Sequence, residues 1–192
     1  MTRPWLNRLR RRMAHLLLYR IVYGERAADG RPLPHTRIAP STCIAGETHL
    51  VLGDHVFIGQ FNFIDAHGGL TIEEGVQITN FVSIVTHSSH RSLRILGRQY
   101  AVQAGEPPGY VKAPIHIGAY SFIGPHSLIE AGARIGKGCV VTAYARVRGE
   151  VPDFAIVAGQ PAQVVGDVRE ADARLLAAHP ELRVHYEAWA QA

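Results

Sequence analysis

An apolar residue recurs at every sixth position of this chain, and that period constrains the fold more than any other feature. The later series consists of Ile117, Ile123, Ile129, Ile135, Val141 and Val147. An earlier series consists of Leu52, Ile58, Ile64, Ile72, Ile78 and Ile84, preceded by the weaker members Ile38 and Ile44. Four residues after the members of the later series stand Ser121, Ser127, Ala133, Cys139, Ala145 and Val151.

This period indicates a β-solenoid. An α-helix repeats its faces every 3.6 residues and a strand every two, so neither keeps a period of six on one face. In a solenoid each hexad forms one flat side and three hexads form a triangular coil. The large aliphatic residue then points inward, and the small residue fits the corner. The alternative is a β-sandwich in which apolar residues fall at this spacing by chance, but too many apolar residues share the six-residue period for chance to explain it.

Two breaks interrupt the repeat. Ile64 and Ile72 are eight residues apart, with a small bulge at His67-Gly68-Gly69. A larger break follows Ile84, where residues 89–114 are predicted to leave the solenoid as a long loop rich in Gly and Pro. Such an excursion from a rigid scaffold is typical of a lid or a binding loop.

The sequence divides into three segments. Residues 1–37 comprise a basic amphipathic helix, predicted at 3–22, and a linker. Residues 38–167 form the solenoid, and residues 168–192 a helical cap, with Pro180 breaking the helix at 168–190. The first helix either binds a membrane surface or packs its apolar stripe on the solenoid base, and we favour packing.

Composition excludes several classes of protein. With 192 residues, 47% of them hydrophobic, the chain can form one domain with a substantial core. Two cysteines outside any CxxC pair predict reduced thiols, not a disulfide framework. The apolar run at 13–19 is shorter than the roughly 20 residues of a membrane span, and no signal-cleavage site follows it. We expect a cytoplasmic protein with no nucleic-acid partner, whose net charge of +4 favours an anionic ligand or surface, including a peripheral contact with the inner membrane.

Three local motifs add to the repeat. The segment 84–90 reads Ile-Val-Thr-His-Ser-Ser-His, and 114–118 reads Pro-Ile-His-Ile-Gly. The segment 151–162 reads Val-Pro-Asp-Phe-Ala-Ile-Val-Ala-Gly-Gln-Pro-Ala. With the repeat, they make residues 38–167 resemble the hexapeptide-repeat acyltransferases, in particular the maltose and galactoside O-acetyltransferase branch.

The resemblance implies a left-handed parallel β-helix that assembles as a homotrimer and uses acetyl-CoA as co-substrate without a metal. Its CoA-binding positions fall on Phe122, Gly124, Lys137, Ala143, Arg146 and Arg148. The chain departs from the family where Phe122 replaces a common Trp and where Gly149, Gln163 and Gly166 replace common basic residues. The arginines and Lys137 would then bind the CoA phosphates, unless they only form a solvated basic face.

Two histidines are candidates for the catalytic base. Acyl transfer to a hydroxyl requires a group that takes the hydroxyl proton, and neutral histidine does this near neutral pH. The resemblance to the family points to one of them. Matching the spacing within the family motif favours His87, whereas the family base tends to lie five or six residues beyond the inward-facing position held here by Ile84, which favours His90. We favour His90, with His87 as its neighbour or its replacement.

Three polar residues are candidates for acceptor binding. Asn62 occupies a position where the repeat requires a small apolar residue, so it binds the acceptor, donates to the oxyanion, or only stabilises the corner. Asp65 orients the histidine, binds a sugar hydroxyl, or is a turn residue. Gln60 is a weaker candidate, and His67 and other scattered histidines are assigned to surface turns.

The favoured function is transfer of an acetyl group from acetyl-CoA to a hydroxyl of a sugar or glycan precursor. N-acetylation of an amino sugar stays open, because the same base can deprotonate an ammonium. A γ-type carbonic anhydrase would need three zinc-binding histidines in a sequence context that is not present here. A non-catalytic solenoid scaffold is the remaining alternative, and the histidine pair and the excursion count against it.

Overall fold

The computed structural model describes residues 3–191, and it has the predicted mainly β architecture, a left-handed parallel β-helix. Three parallel sheets form its sides. Sheet 1 contains β3 (Arg37–Ile38), β6 (Phe57–Ile58), β9 (Gln77–Ile78), β14 (Phe122–Ile123), β17 (Val140–Val141) and β20 (Ala155–Gly159). Sheet 2 contains β4 (Cys43–Ala45), β7 (Phe63–Asp65), β10 (Ser83–Val85), β15 (Leu128–Glu130) and β18 (Arg146–Val147). Sheet 3 contains β5 (Leu50–Leu52), β8 (Leu70–Ile72), β13 (Ile115–Ile117), β16 (Arg134–Ile135) and β19 (Glu150–Val151).

The period of six becomes three columns of inward-facing aliphatic side chains, one for each sheet. Strand register places equivalent residues in line along the solenoid axis. The columns are Ile38, Ile58, Ile78, Ile123 and Val141; Ile44, Ile64, Ile84, Ile129 and Val147; and Leu52, Ile72, Ile117, Ile135 and Val151. All are buried except Ile38 and Ile44, which lie in the first coil and are half-buried. Burial of each large aliphatic side chain stabilises the fold by about 1.5–3 kcal/mol.

Aromatic side chains, rather than glycine alone, occupy the tight corners. Residues with positive φ include His55, Phe61, Phe81, Tyr120, His126, Tyr144 and Phe154. A side chain in this left-handed region is strained. At one corner Phe61, Phe81, His126 and Tyr144 form a continuous stack, with successive ring centroids 4.8–5.2 Å apart. This stacking offsets part of the strain.

The predicted excursion leaves the solenoid after β10 but is more regular than expected. β11 (His87–Ser88) and β12 (Val111–Lys112) pair antiparallel and form its neck. Between them lie α2 (His90–Leu96) and a 3₁₀ helix at Gly97–Val102. The excursion therefore occurs where it was predicted and contains regular elements that the sequence did not indicate.

Short elements cover the two ends of the solenoid. The hairpin of β1 (Glu25–Arg26) and β2 (Pro32–Leu33) precedes the first coil, whose third side follows a 3₁₀ turn at Glu47–His49. At the other end β21 (Ala162–Asp167) pairs antiparallel with β20. The predicted helix pair follows as α3 (Val168–Ala178), a 3₁₀ turn at Pro180–Leu182 and α4 (Arg183–Ala190), and Trp189 stacks on Tyr120.

The N-terminal helix forms but does not pack as expected. α1 (Pro4–Ala14) continues as a π-helical turn at His15–Tyr19, and neither element has a buried residue. Packing of the apolar stripe on the solenoid base, the interpretation that the sequence favoured, is therefore wrong for the single chain. Within residues 3–191 no helix is both long and apolar enough to cross a membrane.

Candidate active site

The site is built around Asp65, the last residue of β7. β7 and β10 are parallel neighbours in sheet 2, so Asp65 lies opposite Val85 and next to the chain that continues into Thr86 and His87. The Asp65 side chain is only 2% exposed. Its carboxylate accepts hydrogen bonds from the Thr86 amide at 2.9 Å and from Thr86 Oγ1 at 2.6 Å. The bulge residue His67 donates its amide at 3.1 Å.

Two imidazoles complete the shell of this carboxylate. His67 Nδ1 lies 2.7 Å from Asp65 Oδ1, and His87 Nδ1 lies 2.7 Å from Asp65 Oδ2. An ionised carboxylate can only accept hydrogen bonds, so each Nδ1 carries the proton. Burial alone would raise the pKa of Asp65, but the hydrogen bonds from Thr86 and His67 outweigh it and hold this pKa well below its ordinary value. The carboxylate thus stays charged inside the protein.

His87 is oriented by Asp65 through a single ring nitrogen, Nδ1. With the proton on Nδ1, its Nε2 has a free lone pair that is directed away from Asp65. The side chain is 36% exposed, so solvent or a substrate can reach it. Tyr110, from the excursion, stacks on the imidazole with a centroid distance of 5.6 Å, and His67 meets it edge-on at 6.0 Å.

The bulge at 67–69 is required for this geometry. The Gly68 amide donates to Thr86 Oγ1 at 2.9 Å, while the same hydroxyl donates to Asp65. A Cβ at Gly68 would lie 2.8 Å from both the Cβ and the backbone oxygen of Thr86. Only glycine allows the bulge to approach Thr86 this closely.

The other candidate base, His90, lies outside this cluster. It is the first residue of α2 and is exposed, and its Nδ1 lies 2.7 Å from Ser88 Oγ. Its ring has a hydroxyl rather than a carboxylate as its partner. The structure therefore distinguishes the two histidines, which the sequence alone presented as alternative candidates for the base.

The two amides proposed for acceptor binding have structural partners instead. Asn62 is buried, and its Nδ2 donates to the backbone oxygens of Gly59 and Thr79, while its Oδ1 accepts from the Val82 amide. Of the alternatives for Asn62, these bonds favour stabilisation of the corner, since they hold the side chain inside the solenoid. Gln60 is bonded to Ser41 and donates to the Tyr19 carbonyl, so it joins the N-terminal segment to the first coils.

The six residues assigned to CoA do not share one surface of the single chain. Gly124 and Ala143 meet at the corner between sheets 1 and 2, where a Cβ on Gly124 would lie 2.7 Å from the Ala143 nitrogen. Phe122 is exposed on sheet 1. Arg146 lies on sheet 2 with its Nε 3.6 Å from Glu130, and Arg148 follows it. Lys137 lies at the other corner of sheet 1, over the Phe154 ring.

The cluster also has the donor set of a metal site. Asp65, His67 and His87 each place one ligand atom within 4.8 Å of the others. His35, Asp54 and His55 do the same, with both histidines exposed and Asp54 half-buried. In both trios a carboxylate oxygen already accepts a hydrogen bond from an imidazole nitrogen.

Sequence reasoning missed His67 and Tyr110 as members of the site. The break in the repeat between Ile64 and Ile72 was the available signal for His67, because it places a bulge directly after Asp65. Nothing comparable marks Tyr110, which lies in the excursion, where the repeat gives no register.

Comparisons with known proteins agree with the fold. Residues 114–149 match the family described as bacterial transferase hexapeptide, six repeats. A hexapeptide-repeat-containing acetyltransferase of Vibrio cholerae, solved with acetyl coenzyme A, superimposes with a TM-score of 0.59 at 25% identity, over 69% of this chain and 67% of the other. A galactoside acetyltransferase in complex with coenzyme A gives a TM-score of 0.57 at 25% identity, over 71% and 63%.

A curated relative matches a shorter region. A 2,3,4,5-tetrahydropyridine-2,6-dicarboxylate N-acetyltransferase of Staphylococcus aureus is 43% identical over 72 residues, which are 36% of this chain and 29% of the relative. The match thus spans less than a third of that protein. Together the comparisons confirm the predicted resemblance to hexapeptide-repeat acetyltransferases.

Proposed function

We propose that this protein transfers an acetyl group from acetyl-CoA directly to a hydroxyl of a sugar or glycan precursor, with His87 as the general base. The observation that carries the proposal is the 2.7 Å hydrogen bond from His87 Nδ1 to the buried Asp65 carboxylate. It fixes the tautomer and the orientation that a base requires. The acetyl-CoA and galactoside acetyltransferase neighbours support the choice of donor and acceptor.

His87 and Asp65 account for the proton transfers of this reaction. The acceptor hydroxyl binds next to His87 Nε2, which takes its proton as the oxygen attacks the thioester carbonyl. The resulting imidazolium is stabilised by Asp65. When the tetrahedral intermediate collapses, the C–S bond breaks, and the thiolate takes the proton from Nε2 and leaves as free CoA. No acyl-enzyme forms, which agrees with the position of the two cysteines outside the cluster, Cys43 exposed on β4 and Cys139 buried.

The proposed donor site follows the edge of sheet 2. Val85 pairs with both Asp65 and Glu130, and continuing the β15–β18 register places Arg148 opposite Glu130. Arg148 is thus three strand spacings, about 14 Å, from Asp65. With this spacing across sheet 2, Arg146 and Arg148 bind the CoA phosphates while the thioester lies next to His87. Phe122, Gly124 and Ala143 line the neighbouring corner, and Lys137 lies at the other corner of sheet 1.

Matched histidine variants test the proposal. Release of CoA thiol should be measured with acetyl-CoA and a panel of sugars and nucleotide sugars. His87→Ala is expected to lower turnover by about 10²- to 10⁴-fold with little change in acetyl-CoA affinity. His90→Ala, which removes the same side chain three residues away, should keep near-normal turnover. The reverse result would move the base to His90, and full turnover of the double variant would rule out both histidines as the base. No turnover by the wild type with any acceptor would leave the scaffold interpretation.

N-acetylation is the second candidate, because the Staphylococcus aureus relative is described as an N-acetyltransferase. The same base would take a proton from an amine as it attacks the thioester. Treatment of the product with hydroxylamine separates the two reactions, because an O-acetyl ester is cleaved and an amide is not. An ester supports the favoured function, and a resistant product supports the alternative.

A further inference from the structure

The N-terminal helix has two chemically distinct faces. Successive residues of an α-helix are separated by 100°, so Trp5, Leu6, Leu9 and Met13 fall within one sector of about 100° on α1. The arginines of the helix lie outside that sector, and Arg10 and Arg12 flank its two edges. An apolar stripe bordered by long cationic side chains is suited to lie in an interface between water and hydrocarbon.

The apolar face has no buried residue in the described part of the chain, residues 3–191. Trp5 is 63% exposed, Leu9 47% and Met13 54%. The exposed surface continues into the π-helical turn, where Leu16, Leu17 and Leu18 are 52–66% exposed. Contiguous apolar surface of this kind marks an interaction site rather than an ordinary protein surface.

The charge of this segment selects the partner. The first 24 residues contain six arginines, Arg3, Arg8, Arg10, Arg11, Arg12 and Arg20, and no Asp or Glu. A face that packed against a second copy of this chain would bring these like charges together. An anionic lipid surface complements them and also accepts the apolar stripe.

The helix is also attached to the solenoid at one defined point. Tyr19, at the end of the π-helical turn, meets the Phe61 ring edge-on at 5.8 Å, and its carbonyl accepts from Gln60 Nε2 at 2.9 Å. Phe61 begins the corner stack that continues to Tyr144. The amphipathic segment therefore extends from the first coils of the solenoid without covering their core.

We propose that residues 3–20 bind the surface of an anionic phospholipid membrane. The apolar stripe inserts at the level of the acyl chain boundary, and the arginines contact lipid phosphates. The solenoid is then held at the membrane surface by a segment that contributes nothing to its core. This proposal is independent of the acetyl-transfer chemistry.

Tryptophan fluorescence of the full chain reports insertion directly. The chain has two tryptophans, Trp5 on the apolar stripe and Trp189 stacked on Tyr120 at the C-terminal end. Adding vesicles of phosphatidylcholine and phosphatidylglycerol at low salt should shift the emission to shorter wavelength and pellet the protein. Phosphatidylcholine vesicles alone should do neither, and high salt should release the bound protein. Trp5→Phe should remove the spectral shift while the protein still pellets.

Two double variants with the same change in charge separate insertion from simple attraction. Arg8→Gln with Arg11→Gln should weaken binding by about fivefold for each arginine. Leu9→Glu with Met13→Glu also changes the charge by two but places it on the apolar stripe, and should abolish binding. Both should retain the circular dichroism of the solenoid, because these four side chains are exposed.

The proposal is overturned if the wild type does not pellet with the anionic vesicles at low salt. It is also overturned if the two double variants weaken binding equally, since the contact would then involve charge alone. A change of oligomeric state in the Leu9/Met13 variant, without any vesicle binding by the wild type, would assign the stripe to contacts between copies.

Discussion

At the scale of single residues, the site depends on a carboxylate that stays ionised although it is buried. Asp65 receives donors from Thr86, His67 and His87, and each compensates for the lost contact with water. The charge in turn fixes the Nδ1 proton of both imidazoles. Stability and the orientation of His87 therefore depend on the same carboxylate.

This coupling predicts a specific dependence of stability on pH. Because the folded-state pKa of Asp65 is depressed, its contribution is complete above the unfolded-state value of about 3.9 and is lost as pH falls below it. Asp65→Asn should lower the free energy of unfolding by on the order of 2–3 kcal/mol at neutral pH. In urea titrations its difference from wild type should shrink as the pH falls to about 3.

Asp29→Asn provides the control. The Asp29 side chain is 69% exposed, so this variant should follow the wild-type profile at every pH. A gap between Asp65→Asn and wild type that stays constant down to about pH 3 would contradict the proposed role of the charge. Asp65→Asn should also reduce turnover, because an amide can no longer fix the His87 tautomer.

The sequence predicts the types of site residue better than their roles. Asn62 and Asp65 both stand out as polar residues in an apolar repeat, and only the geometry separates them. Asn62 turns into the corner and bonds to backbone groups, whereas Asp65, three residues later, lies at the sheet edge beside the bulge. The direction in which a side chain points at a corner depends on backbone dihedral angles, and a hexapeptide pattern does not specify these angles.

At the scale of elements, the columns of the core are predictable because each strand contributes one inward aliphatic side chain in a fixed register. The excursion is not, because α2 has no stripe that must be buried: Leu93 and Ile95 are exposed. A helix without a buried face leaves no hydrophobic period in the sequence. The contact that the excursion makes with the site through Tyr110 is therefore visible only in the folded structure.

The contact between Tyr110 and His87 predicts a contribution of the excursion to the proposed reaction. Tyr110→Ala removes the ring that stacks on His87, and kcat/KM should fall about threefold to tenfold. Tyr110→Phe keeps the ring and should remain near wild type. Val102→Ala, at an exposed position of the same excursion, is the matched control. Melting temperatures should be equal for all three, and a loss of stability in Tyr110→Ala would indicate a structural role instead.

At the scale of the whole molecule, the single chain leaves apolar side chains exposed beside the site. Phe63 lies two residues before Asp65 on β7 and is 46% exposed. We expect a homotrimer in which each site lies in a groove between neighbouring solenoids and Phe63 is covered. Light scattering should then give three times the chain mass of 21.0 kDa.

Phe63→Glu tests this assembly. It should dissociate the trimer and lower turnover together, because a charge buried in the groove has no partner. Val184→Glu, which places the same charge on the exposed surface of α4, should change neither property. A wild-type monomer with full activity would contradict the assembly.

The neck of the excursion has a consequence for how such a protein can diversify. The Ala113 amide donates to the Thr86 carbonyl at 3.0 Å, so the chain leaves and re-enters the solenoid at adjacent points. The Ile84 and Ile117 columns continue on either side in unbroken register. The conformational entropy that is lost on closing a loop between fixed, neighbouring ends rises only slightly as the loop lengthens. The segment between Ser88 and Val111 is therefore a module that can be exchanged for another of different length and sequence, which would change what is presented to His87 while the coils below it remain the same.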